Sequence, residues 1–207
     1  MKLVIQIPCF NEERTLPDVL SGIPRRIDGL ADIELLVVDD GSTDNTAHVA
    51  RSCGVAHVLV LPGPNQRRLG CAFQAGVDYA LRCGADILVN TDGDNQYPSE
   101  NISDLIQPIL RGEADVVIGN RRPWRCNRFS LWKRVLQLSG NLAVSALAAR
   151  IIPDAVSGFR AYSRKALLSG SIETPYTYTV ESVLKCCYNG LRVAWIPIEV
   201  NPPTRSS

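Results

Sequence analysis

Ile33-Glu34-Leu35-Leu36-Val37-Val38, followed directly by Asp39-Asp40-Gly41-Ser42-Thr43-Asp44, decides the fold class. Its first half is apolar on both faces of an extended chain and rich in β-branched residues, the signature of a strand buried within a parallel sheet. Its second half turns acidic where the strand must leave the sheet. The same pattern recurs outward in both directions. Leu3–Ile7 runs into Pro8-Cys9-Phe10-Asn11-Glu12-Glu13, and Ile87–Asn90 runs into Thr91-Asp92-Gly93-Asp94-Asn95-Gln96. Val55–Leu61 and Val116–Ile118 complete a set of short apolar runs. Between them, helical spacing predicts helices at about Thr15–Ile27, Thr46–Cys53, Leu69–Cys83 and Ser99–Leu110, with Ser99 as an N-cap. Strands alternating with helices imply an α/β fold, doubly wound around a mostly parallel central sheet with flanking helices.

The chain has 207 residues, a length suited to one large domain, and no linker, repeat or low-complexity segment divides it. We read a single unit over residues 1–207, with a nucleotide-binding half (1–119) and an acceptor-binding half (120–207). A long helix is expected from Phe129 to Ala149. Lysine plus arginine number 22 against 21 acids, a net charge of +1 that argues against a general nucleic-acid binder. The seven cysteines are scattered and odd in number, as in a protein without a disulfide framework. The longest nearly uncharged apolar stretch, Leu142 to Ala149, falls well short of the ~20 residues needed to cross a bilayer.

In open α/β sheets, ligands bind outside the carboxyl ends of the strands. Three such ends here are acidic, and carboxylates gathered on one edge repel one another unless a cation or hydrogen-bond donors intervene. Asp92-Gly93-Asp94 places two carboxylates one residue apart, which suits a hard divalent cation such as Mg2+ or Mn2+, and Gln96 could add a ligand or support one. Asp-Gly is also a common turn dipeptide, and Ser42, Thr43 or Asp44 could cap the helix starting near Thr46. Asp39, at the end of a buried strand, has no such structural role and could accept from a nucleobase or ribose. No Gly-x-Gly-x-x-Gly follows the first strand and no P-loop occurs anywhere, which disfavours a dinucleotide oxidoreductase or a P-loop NTPase.

Taken in order, Ile-Pro-Cys-Phe-Asn-Glu-Glu, Val-Val-Asp-Asp-Gly-Ser-Thr-Asp and Thr-Asp-Gly-Asp-Asn-Gln-Tyr-Pro resemble family 2 glycosyltransferases of the GT-A fold. The similarity is to the branch of polyprenyl- or dolichol-phosphate sugar synthases. Ala-Asp-Val-Val-Ile-Gly-Asn-Arg, the segment from Asp154 to Arg160, and Gly190 to Pro197 extend it across nearly the whole chain. The resemblance implies that Pro8, Glu12, Asp39 and Asp40 contact the nucleoside. It puts Asp92 near the ribose and diphosphate and assigns the cation to Asp94 and Gln96, with Asp92 beside it. Asp154 takes the place of a catalytic carboxylate, and Arg121 and Arg160 that of phosphate-facing bases. The implied activity is metal-dependent, inverting transfer of a hexose from a nucleotide-diphosphate sugar to a polyprenyl phosphate.

Two other readings stand beside it: the same donor chemistry onto a saccharide hydroxyl, with Asp154 as general base, and a non-catalytic nucleotide-binding or membrane-docking module. Charge distribution bears on the acceptor. Residues 120–153 hold no acid and seven bases (Arg121, Arg122, Arg125, Arg128, Lys133, Arg134 and Arg150), so the segment carries +7 and the remainder −6. Trp124, Phe129, Leu131 and Trp132 are interleaved with them. Arg121, Arg122, Arg125 and Arg128, with Ser157, are therefore expected to hold an anionic lipid headgroup or face a membrane. The expected location is the cytoplasm, peripheral to the membrane face, with attachment through this surface, a partner or residues beyond Ser207.

Overall fold

The computed structural model describes residues 1–62, 68–122 and 131–201, without the side chains of residues 131 and 133. Its centre is a sheet of seven strands: β1 (Lys2–Cys9), β2 (Asp32–Asp39), β3 (His57–Val60), β4 (Ile87–Asn90), β5 (Val116–Asn120), β6 (Arg160–Ser163) and β7 (Val193–Pro197). They lie in the order β3-β2-β1-β4-β6-β5-β7. The expected doubly wound, mostly parallel sheet is what forms. The exception is β6, which pairs antiparallel with both β4 and β5. It had no counterpart among the apolar runs, because Arg160-Ala-Tyr-Ser carries too few aliphatics to read as a strand.

Among the described residues seven helices flank the sheet: α1 (Leu16–Gly22), α2 (Thr46–Ser52), α3 (Leu69–Arg82), α4 (Asn101–Leu110), α5 (Leu131–Ala148), α6 (Arg164–Leu167) and α7 (Thr179–Tyr188). One apolar layer joins Leu3, Ile5 and Ile7 to Val19 and Leu20 of α1 and Ile102, Leu105 and Ile106 of α4. The other joins Val4, Leu36 and Val38 to Phe73 and Val77 of α3 and Val183 and Cys186 of α7. Alternate residues of β1 therefore serve opposite layers, which is why its run is apolar on both faces.

Helix ends deviate from the expectation for local reasons. α1 stops at Gly22, not Ile27, since Ile23 precedes Pro24 and takes the extended conformation that proline imposes on its neighbour. Ser99 does not cap α4; its hydroxyl donates to the Val19 carbonyl and ties that helix to the end of α1. α5 ends one residue short of the expected Ala149, which adopts left-handed φ and closes the helix. The expected start at Phe129 lies outside the described residues. All described cysteines are free.

The chain runs from β1 outward through β2 to β3, then returns to the other side of β1 for β4. That reversal opens a crevice at the carboxyl ends of β1 and β4. One wall of it is the first turn of α3, where the Gly70 and Cys71 amides both donate to the Pro175 carbonyl at 2.9 and 3.3 Å. A Cβ at Gly70 would collide with the Thr174 backbone carbonyl. Gly70→Ala should therefore destabilise the fold by about 1–3 kcal/mol, read as a fall of several degrees in thermal midpoint; an unchanged midpoint would contradict this docking.

Candidate active site

Two loops at the crevice are laced together before either meets a ligand. The Asn11 amide donates to Ser42 Oγ at 2.9 Å, the Glu12 amide to Thr46 Oγ1 at 2.8 Å, and the Glu13 amide to Asp44 Oδ2 at 3.2 Å. Asn11 Oδ1 accepts from the Thr43 amide in return, at 2.8 Å. Asn11 sits at left-handed φ, which asparagine tolerates better than most residues. Helix capping thus accounts for only part of Ser42-Thr43-Asp44. Asp44 Oδ1 does accept from the Thr46 amide, but all three residues also bind the first loop. Asp39 also has a structural duty that its sequence concealed: its Oδ1 accepts from the Ser42 amide at 2.9 Å, closing the turn.

Pro8, Glu12, Asp40, Asp92 and Asp94 line one cleft of about 310 Å³, together with Cys9, Phe10, Leu69, Ala72 and Gly93. Five residues singled out from three separated loops are therefore brought together. Among the described residues, Asp40 Oδ1 is buried without a hydrogen-bond partner, so it is an acceptor open to a ligand. Thr15, which sequence reasoning missed, has its Oγ1 2.8 Å from both Glu12 Oε2 and the Gly93 carbonyl, its single proton shared between the two acceptors, and fastens the first loop to the Asp92–Asp94 turn. A Cβ at Gly93 would lie 2.8 Å from Cys9 Sγ, so only glycine lets this turn close on β1.

Asp92 lies on a polar floor. Gly158 faces it, and a Cβ there would fall 3.0 Å from both carboxylate oxygens. The Gly158 peptide is held from three sides: its amide donates to Tyr97 Oη at 3.1 Å, and its carbonyl accepts from Asn90 Nδ2 at 2.8 Å and Tyr178 Oη at 3.0 Å. Gln6, in β1, donates to Asn90 Oδ1 at 2.7 Å. Tyr178 is itself stacked on Phe73, with ring centroids 4.0 Å apart. No local pattern marked Asn90, Tyr97 or Tyr178, because each becomes part of the site only through tertiary contacts. Burial pushes the Asp92 carboxyl up to about 7; Asp94 and Glu12 add to this, and Arg121 and Arg160 oppose it.

These acids fit a divalent cation. Mg2+ and Mn2+ prefer hard oxygen donors, and Mg2+ in particular keeps waters and binds through one or two carboxylates plus substrate phosphates. Asp92 and Asp94 are such a pair, and a cation would favour the ionised form that burial disfavours at Asp92. Among the described residues, no three His, Cys, Asp or Glu side chains converge into a complete metal cage. Gln96 contributes its backbone: its amide donates to Asp94 Oδ1 at 2.9 Å, and its carbonyl accepts from the Asn201 amide.

On the far side of the site, two expectations change. Asp154 is wholly buried and gripped by Arg121, with Nε to Oδ2 and Nη2 to Oδ1 both at 2.8 Å and the Arg121 amide to Oδ2 at 3.1 Å. Burial works against the Arg121 charge, but the Asp154 carboxylate outweighs it and raises the arginine pKa. A carboxylate committed to a bidentate ion pair is not poised to take a proton. Arg160, expected on a phosphate, is fully buried in the protein. It donates to the carbonyls of Ser157, Thr179 and Ala155 and to Ser182 Oγ, at 2.7–2.8 Å. It therefore staples the 155–157 loop to α7, and Ser157 is fully buried beside it. Arg122 is exposed at the end of β5, with left-handed φ and its amide held by Asn120 Oδ1. Arg125 and Arg128 lie outside the described residues.

The crevice at the switch point is acidic and has no glycine-rich phosphate loop, which sets it apart from P-loop kinases and dinucleotide dehydrogenases. The profile of glycosyl transferase family 2 matches residues 4–169. Polyprenol monophosphomannose synthase of Mycolicibacterium smegmatis is 32% identical over 206 residues, covering 95% of this chain and 76% of that protein. A UDP-N-acetylglucosamine–dolichyl-phosphate N-acetylglucosaminyltransferase of Methanococcus voltae is 27% identical over 212 residues, with 93% and 83% covered. Among solved structures, glucosyl-3-phosphoglycerate synthase from Mycobacterium tuberculosis in complex with Mn2+ and UDP-glucose superimposes with a TM-score of 0.77 at 26% identity, covering the whole of this chain and 72% of that one. The chain belongs to glycosyl transferase family 2, and it is a glycosyltransferase of the GT-A type.

Gly158→Ala should lower kcat/KM for transfer by about tenfold or more, since displacing a catalytic group by a fraction of an ångström costs this much. Circular dichroism should show the fold retained. Wild-type kinetics in that variant would mean that the Gly158 floor does not set the Asp92 position.

Proposed function

We propose that the protein transfers a hexose from a nucleotide-diphosphate sugar to a polyprenyl phosphate, with inversion at the anomeric carbon and with Mg2+ or Mn2+. The observation that carries the donor half is the cleft shared by Pro8, Glu12, Asp40, Asp92 and Asp94. Pro8, Glu12, Asp39 and Asp40 hold the nucleoside, the unsatisfied Asp40 oxygen taking a base N–H or ribose hydroxyl. Asp92 and Asp94 hold the cation, which when bound offsets charge on the departing diphosphate. The resident structures of the M. tuberculosis relative contain Mn2+ or Mg2+ with UDP, and this supports the same use here.

The acceptor half rests on Asp154. A saccharide hydroxyl must lose a proton as it attacks and needs a base in reach. A phosphate monoester is already anionic and needs only positive charge to hold it. The buried Arg121–Asp154 pair offers no ready base, and the chain beside it, residues 120–153, is free of acids. Both features favour the phosphate, and the names of the polyprenyl- and dolichyl-phosphate relatives support it. Arg122, Arg125 and Arg128 steer that headgroup, residues 1–119 serving the donor and 120–207 the acceptor. A lipid acceptor calls for peripheral attachment, on the cytoplasmic face where nucleotide sugars are supplied.

Asp94→Ala should cut transfer from a radiolabelled nucleotide sugar to polyprenyl phosphate by about 100-fold or more, the upper range for weakening metal binding. Removing divalent cations from the wild type should do the same. Undiminished transfer in either case would overturn the metal-held donor, and preferential transfer to glycans would overturn the lipid acceptor.

A further inference from the structure

Beyond β7 the chain forms a short strap, Ile198 to Asn201, that crosses back to the donor side of the crevice. The Ile198 amide donates to the Asn120 carbonyl at 2.9 Å, at the end of β5. The Ile198 side chain is buried in the same apolar layer as Phe159, and Val200 packs half-buried against that layer. A Cβ at Gly119 would lie 2.7 Å from Ile198 Cδ1, so the strap and β5 approach too closely for any side chain there. With its root fixed in this way, the strap has little freedom by the time it reaches Asn201.

Asn201 meets the turn that carries Asp94. Its amide donates to the Gln96 carbonyl at 2.9 Å, and its Nδ2 donates to the Asn95 carbonyl at 3.0 Å. One residue thus serves two successive carbonyls of a loop that lies about a hundred positions earlier in the chain. The turn has need of such support. Asn95 has a φ of 60°, in the left-handed region, a conformation that persists where its surroundings hold it. The Gln96 amide closes the turn on Asp94 Oδ1 at 2.9 Å, so the backbone at 95 and 96 sets where that carboxylate sits. Thr15 Oγ1, 2.8 Å from the Gly93 carbonyl, holds the entry to the turn. Asn201 holds its exit.

We propose that Asn201 is a positioning residue for the cation: by locking the Asp94–Gln96 turn from behind, it sets the Asp94 carboxylate in its binding geometry before the cation arrives. Groups that orient a metal ligand without touching the metal govern affinity by about ten- to a hundredfold. The strap falls by sequence in the acceptor half, yet this duty lies in the donor half. The inference rests on the reading that Asp94 takes a divalent cation.

Two variants separate hydrogen bonding from packing: Asn201→Ala removes the side chain, and Asn201→Leu keeps about its size without a donor. In the metal-free protein, the Gln96 amide should exchange with solvent about fivefold faster in both variants, the effect of losing one ordinary hydrogen bond. Calorimetric titration of Mn2+ in the presence of UDP or GDP should show at least about tenfold weaker Mn2+ binding in both. Transfer should recover as Mn2+ is raised. Nucleotide affinity in chelator should match wild type, and the thermal midpoint should stay within about 4 °C of it; a general loosening of the cleft would lower both. Unchanged Gln96 exchange would overturn the positioning role, as would unchanged Mn2+ affinity against a wild type that responds to Mn2+. An equal loss of nucleotide affinity with and without Mn2+ would also overturn it. If Mn2+ adds nothing to nucleotide binding by wild type while Gln96 still exchanges faster in the variants, the tie to the turn stands and the metal-held donor falls.

Discussion

Repulsion among carboxylates at one sheet edge is the constraint from which the rest of this molecule follows. Glu12, Asp40, Asp92 and Asp94 come from loops after three different strands and face one cleft. At Asp92 burial, with Asp94 and Glu12 adding to it, raises the carboxyl pKa to about 7. Such a cluster persists only if the surrounding structure over-determines its geometry. Here that task falls to the Asn11–Ser42 and Glu12–Thr46 bonds between loops, to Thr15 across to Gly93, and to the Gln6–Asn90–Gly158 floor. In the proposed reaction, a cation arriving with the diphosphate would relieve that repulsion.

The acceptor side is built on the opposite principle. Asp154 is neutralised internally by Arg121, and Arg160 is consumed in holding the loop next to it. Buried, fully paired charges fix a shape; they do not lend themselves to proton transfer. The net charge of +1 thus averages an acidic donor cleft and a basic acceptor segment. That division suits the proposed reaction, in which a sugar leaves a cation-held diphosphate for an anionic acceptor.

The fold was largely legible because parallel strands buried on both faces leave continuous Val, Ile and Leu runs, and five of the seven strands carried one. Ile33–Val38 is the clearest case: its acidic exit also located the site. β6 was hidden because its pairing, not its composition, makes Arg160-Ala-Tyr-Ser a strand. The cleft acids could be read from their place at strand ends. Asn90, Tyr97, Thr15 and Tyr178 could not, since each reaches the site across long stretches of chain. Asp154 and Arg160 could be singled out by sequence, but residue type alone does not say whether a charge faces a ligand or another side chain. Their burial decides that.

Calorimetric titration with UDP and GDP, with Mn2+ present and after chelation, tests most directly whether the acidic cleft binds its nucleotide through a cation. One of the two nucleotides should bind at least about tenfold more tightly with Mn2+, in line with the loss that follows a weakened metal site. Equal affinity in chelator would contradict the account, because a diphosphate would then be entering a cleft lined by four acids without a cation.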